Sequence, residues 1–129
     1  MKVFTLRYEK KIAQNSMKRM QEAASTGVPH IRKDELICDS YESMNRLLSI
    51  ARLDIFVAIV EHRPESMYAL AQILKKDQSQ VLRDAKMLEE IGVIKLVPVM
   101  DGNREKLKPE PLYDKIVFEV TPKQIAQSA

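Results

Sequence analysis

An α+β fold is what this sequence predicts: a three-helix core followed by a β-hairpin, with a strand and a helix ahead of them. Three observations carry that expectation. Apolar residues recur at helical spacing in three consecutive stretches between residues 50 and 91, each bounded by a capping residue, a glycine or a proline. Two β-rich runs, VIKLVPVM and KIVFEVT, follow directly. The opening MKVFTLRY alternates Phe4, Leu6 and Tyr8 against Val3, Thr5 and Arg7, the period of a strand.

In chain order, that first strand gives way to a helical period from Glu9 to Ser25. There Ala13, Met17, Met20 and Ala24 form one narrow apolar stripe, stopped by Gly27 and Pro29. So thin a stripe suits a partner helix, such as a second copy, as well as it suits the chain's own core. GVPHIRKDE reads as a linker, and LICDSYESM as a brief strand running into a helix capped by Ser40 or Ser43. The helix in SIARLDIFVAIVEHRPES is strongly apolar, with Leu53, Phe56, Val57 and Val60 on its inner face, widened by Ile55 and Ile59, and Pro64 as its end. Ser66 caps the next helix, whose buried side is Met67, Leu70, Ala71 and Leu74. After the tight LKKDQ turn, Asp77 caps DQSQVLRDAKMLEEIG, and Asp77 with Gln80 has capping-box spacing. Val81, Ala85, Leu88 and Ile91 face inward, and Gly92 stands where a left-handed residue closes a helix. VIKLVPVM and KIVFEVT are expected to pair as a hairpin, with Pro98 marking an edge or a bulge. Between them DGNREKLKPEPLYD would form a long, flexible, basic tip. Two regions follow from this order: residues 1–34, a strand-helix arm and candidate dimerisation element, and residues 35–129, the helical domain with its hairpin.

Composition excludes more than it asserts. Hydrophobic residues make up 45% of the 129, so a core can form, and with 5% aromatics and no Trp that core must be aliphatic. The single cysteine, Cys38, has no partner for an internal disulfide and points to a reducing compartment. No leader pattern and no run of membrane-spanning length is present, so a cytoplasmic protein is expected, with no membrane partner. The two histidines, His30 and His62, lie far apart, and no Cys/His/carboxylate spacing makes a zinc site. With three glycines there is no phosphate-cradling loop, and no nucleophile elbow occurs. The expectation is a protein that is not an enzyme and carries no cofactor and no metal.

What remains is a polar helix face. Gln78, Ser79, Gln80, Arg83 and Lys86 share the outer side of the 78–91 helix, reached through a turn too short for another element. A second helix set across a first in this way is the arrangement that places an exposed face in a DNA major groove. A hairpin next to it is a wing, whose tip would lie on the backbone or in the minor groove. The stretch HRPESMYALAQILKKDQSQVLRDAKMLEEIGVIKL with DGNREKLKPEPLYDKIVFEV resembles the winged helix-turn-helix domain of a small prokaryotic family of predicted transcriptional regulators, related to MarR-like and ArsR-like regulators and with antitoxin-like members. The likeness runs closely over residues 60–121 and loosely before them, where SIARLDIF stands in place of the relatives' Thr-Pro helix start. It implies a dimeric, repressor-like DNA-binding protein.

Lys75, Lys76, Gln78, Ser79, Gln80, Arg83, Arg104 and Lys106 are the candidate DNA-binding residues. Amides and guanidinium groups suit base edges, and the Lys75/Lys76 and Arg104/Lys106/Lys108 clusters suit phosphates. Each has a plainer reading. Gln80 could do no more than cap Asp77; Arg83 could pair with Asp84 or Glu90; Glu105 and Glu110 interrupt the wing cations; Lys86 and the cations of the N-terminal helix could be merely solvated. Double-stranded DNA and a second copy of the chain are the expected partners. The rival is a protein-interaction module, such as an antitoxin holding a toxin-like partner, since fold alone does not settle function.

Overall fold

The computed structural model describes residues 1–8, 30–32 and 34–120, and the chain is α+β, with four helices and two small sheets among those residues. In order they are β1 (Val3–Tyr8), β2 (His30–Arg32), β3 (Glu35–Cys38), α1 (Tyr41–Leu47), α2 (Ile50–His62), α3 (Met67–Leu74), α4 (Gln78–Ile91), β4 (Ile94–Asp101), β5 (Arg104–Pro111) and β6 (Lys115–Val120). The helix expected over Glu9–Ser25, with its Ala13/Met17/Met20/Ala24 stripe, lies outside the described residues. Contacts divide the chain into two compact units, Met1–Leu47 with Lys115–Ala129, and Leu48–Asp114. β3 and β6 both fall in the first unit because both pair with β1.

The first unit holds a four-stranded sheet in the order β2-β3-β1-β6, with β1 parallel to both neighbours and β2 antiparallel to β3. Alternation in β1 holds as expected: Phe4 and Leu6 are fully buried and share a face with Leu36 of β3. On the opposite face Arg7 Nη2 donates to Glu35 Oε2 at 2.9 Å, and its Nε lies 3.9 Å from Glu119 Oε2, a charge row across three strands. Within the expected linker, His30–Arg32 forms the short β2. Ser40 is the cap of α1, its Oγ accepting from the Ser43 N–H at 3.1 Å.

In the second unit three capped helices carry the core. Ser49 Oγ accepts from Arg52 N–H and Ser66 Oγ from Ala69 N–H, which satisfies donors that the first turns of α2 and α3 leave open. Arg63 and Lys75 close those helices in left-handed conformations. Asp77 caps α4 through Gln80 N–H, and Gly92, at φ 102°, ends it. Val81, Ala85, Leu88 and Ile91 are all fully buried. On α2 the buried residues are Ile55, Phe56, Ala58 and Ile59, whereas Val57, expected inside, is 47% exposed. A helix this apolar does not declare its inner face by period alone.

The hairpin differs from expectation in a way that matters. VIKLVPVM does not pair with KIVFEVT. Its partner is REKLKPEP, in unbroken register from Ile94↔Pro111 to Asp101↔Arg104, closed by a two-residue Gly102-Asn103 loop. Gly102 adopts φ 65° at the first loop position, the place a type II′ hairpin turn reserves for glycine. Pro98 fits because a two-stranded ribbon consists only of edge strands. KIVFEV instead becomes β6, parallel to β1.

Candidate nucleic-acid interface

The outer side of α4 is set by its own caps. Asp77 orients the first turn, and burial of Val81, Ala85 and Leu88 turns the intervening positions outward. Gln78, Ser79, Gln80, Arg83 and Lys86 are all exposed, as the sequence predicts. Lys75 and Lys76 are exposed in the preceding turn, where Lys76 N–H donates to Ala71 O at 3.1 Å.

Two depressions lie along this surface, both within the Leu48–Asp114 unit. One runs between the starts of α3 and α4 and the hairpin tip, and brings Gln78 together with Arg104, Lys106 and Tyr68. The other gathers Gln80, Arg83, Lys86, Arg52, Asp84 and Glu90. Of the candidate residues, then, Gln78, Arg104 and Lys106 meet in the first depression and Gln80 and Arg83 in the second.

A polar chain fixes the second group. Arg52 Nε on α2 lies 3.2 Å from Asp84 Oδ1, Gln80 Nε2 donates to Asp84 Oδ2 at 3.4 Å, and Arg83 Nη2 donates to Gln80 Oε1 at 2.8 Å. Asp84 is thus occupied by Arg52, and Arg83 has no ion pair among the described residues. Its guanidinium retains further donors, because one hydrogen bond to an amide uses little of a five-donor group. The Gln80 side chain does not turn back on the Asp77 backbone as a capping box would have it. Its amide bridges Arg83 and Asp84 instead.

The hairpin cations sit on a strand and not in a flexible loop. Arg104, Lys106 and Lys108 alternate along β5, but Glu105, the first of the interrupting acids, lines the same depression as Arg104 and Lys106, as does Asp101. Glu110 stays on the cationic side, across from Lys95. Lys106 Nζ lies 3.7 Å from Asp101 Oδ2, which offsets part of its charge, and Arg104 is exposed beside the turn.

Sequence reasoning missed two contributors. Tyr68 is 59% exposed, and its Oη accepts from Gln72 Nε2 at 2.7 Å; its absence from the Met67/Leu70/Ala71/Leu74 stripe was the available signal. Arg52 left no such signal, because its partner lies 32 residues away. Among the described residues no group of His, Cys, Asp and Glu is placed to hold a metal ion, and no helix is long and apolar enough to cross a membrane.

No curated protein and no solved structure matches the chain. A family model does: residues 47–118, over half of the 129 and nearly coincident with the Leu48–Asp114 unit, match the family described as HVO_A0114. The chain belongs to the HVO_A0114 family.

Proposed function

We propose that the protein is a winged helix-turn-helix regulator of transcription that binds double-stranded DNA as a homodimer, most simply as a repressor. In this reading α4 enters the major groove, with Gln78, Ser79, Gln80 and Arg83 at base edges or phosphates. The β4–β5 hairpin is the wing, with Arg104 and Lys106 on the backbone or in the minor groove. Lys75 and Lys76 meet phosphates at the turn. Two copies would place two reading helices about one helical turn apart on a pseudo-palindromic site.

One observation carries the reading: among the described residues the polar outer edge of α4 is exposed beside the hairpin tip, and Gln78, Arg104 and Lys106 line the same groove, together with Asp101 and Glu105. Arg83 adds to it, as a guanidinium without an acidic partner among the described residues, held in place by Gln80. A docking protein partner, such as a toxin-like protein, is the second reading. It is favoured by Ile50 and Val57, 80% and 47% exposed and two turns apart on one side of α2.

Selection of bound sequences from random duplexes, followed by titration of the selected duplex at physiological salt, tests the proposal. The unmodified protein should bind far more tightly than the roughly 10⁻⁴–10⁻⁶ M typical of non-specific contact. Reversal of both Arg83→Glu and Arg104→Glu should abolish that binding with the circular dichroism spectrum intact. Failure of the unmodified protein to retain any duplex would overturn the regulator reading and leave the partner-protein one.

A further inference from the structure

We propose that β6 is a homodimerisation edge, through which two copies of the chain pair antiparallel about a two-fold axis at Val117. The strand order β2-β3-β1-β6 leaves β6 with a neighbour on one side only among the described residues. An edge strand offers a row of backbone donors and acceptors to another strand. This one also carries apolar side chains outward: Val117, Phe118 and Val120 are 36%, 44% and 51% exposed.

Backbone parity and charge select both the occupant and the register. Lys115 N–H donates across to Lys2 O of β1, so Lys115, Val117 and Glu119 direct their backbone groups towards β1. Backbone groups alternate along a strand, so Ile116, Phe118 and Val120 direct theirs to the open side. Antiparallel self-pairing must therefore set these residues opposite one another. With the axis at Val117, Ile116 faces Phe118 of the second copy in a hydrogen-bonded pair. Val117 then faces itself, and Lys115 faces Glu119, in the pairs where side chains stand closest. The neighbouring registers that parity allows, centred on Ile116 or Phe118, leave both charges without an opposite partner. Glu119 has room for the contact, since its side chain is 52% exposed while reaching Arg7 at 3.9 Å. The row Glu35, Arg7, Glu119 then continues into Lys115 of the second copy with alternating sign. Two four-stranded sheets become one continuous sheet. This inference does not depend on DNA binding.

Sedimentation equilibrium of the full chain should give twice its 14.8 kDa mass. Lys115→Glu sets Glu against Glu119 at both contacts, and Glu119→Lys sets Lys against Lys115, so each variant alone should be monomeric. Mixed in equal amounts they should restore a dimer of one chain of each kind, because every contact again joins opposite charges. Val117→Lys, which meets its own copy on the axis and lies outside the Arg7 pair, should also be monomeric with an unchanged circular dichroism spectrum. Amide exchange at Ile116 and Phe118 should be slow in the wild type and fast in these variants. A monomeric wild type, a dimer that survives Lys115→Glu, or a mixture that stays monomeric overturns the proposal. So does a monomer in which those amides are already protected, since the open side would then be occupied by the chain itself.

Discussion

Arg83 and Asp84 are adjacent in sequence and carry opposite charges, yet they stand differently towards a polyanion. Asp84 is held by Arg52 at 3.2 Å, whereas among the described residues Arg83 reaches only the neutral Gln80. Arg83→Ala should therefore weaken duplex binding by about 1–3 kcal/mol while leaving thermal stability within about 0.5 kcal/mol. Arg52→Ala should do the reverse in part. It frees a carboxylate on the outer side of α4, so binding should fall although Arg52 itself need not touch DNA, and stability should fall as well. Titration of one duplex with both variants, alongside thermal melts, separates the two behaviours. Cys38 lies at the other extreme of exposure. Burial, and then the negative charge of Asp39, pushes its thiol up to about 11, so the reactive thiolate is scarce at neutral pH. A thiol reagent at pH 8 should label it slowly in the folded protein and at the ordinary rate in denaturant.

At the scale of the element, the caps were legible from sequence and the partners were not. Ser66, Asp77 and Gly92 announce helix boundaries because a cap is chemistry between residues three or four apart. Removal of the Asp77 acceptor by Asp77→Ala should cost about 1 kcal/mol in chemical denaturation. The inner stripe of α4 was equally plain, and Leu88→Ala there should cost about 2–5 kcal/mol. Strand pairing is a relation between distant segments and leaves no local trace. REKLKPEP, with two prolines and alternating charge, looks like a loop, while KIVFEV looks like the natural mate of VIKLVPVM. Only the two-residue Gly102-Asn103 loop decides the matter, since it brings Arg104 directly opposite Asp101. Gly102→Ala should test that turn cleanly. A Cβ there meets nothing within 4 Å, so the cost should be about 1–2 kcal/mol of backbone strain and no steric clash. The candidate site was legible to the same degree. The outward positions of α4 follow from its period, whereas the occupation of Asp84 by Arg52 and the placing of Tyr68 beside the hairpin require the fold.

For the molecule as a whole, the binding reading makes a prediction about ionic strength. If Lys75, Lys76, Arg104 and Lys106 each neutralise one phosphate, the logarithm of the association constant should fall with the logarithm of salt with a slope of about −3 to −4 per protomer. Arg104→Ala should reduce that slope by about one. A base-reading substitution such as Gln80→Ala should change the preferred sequence and leave the slope alone. Net charge of +3 would support only weak attraction if spread evenly. The slope therefore reports whether the cations act together.

The return of the chain to β1 has a consequence for how the protein is made. β1 is synthesised before the other described strands, yet one of its two parallel neighbours, β6, is contributed from residue 115 onward, after the whole Leu48–Asp114 unit has been synthesised. A segment that size can fold while the nascent first strand still waits with one flank bare. Premature termination just before Lys115 would thus leave the Leu48–Asp114 segment tethered to a sheet in which β1 lacks its β6 neighbour, a species prone to clump with its own kind.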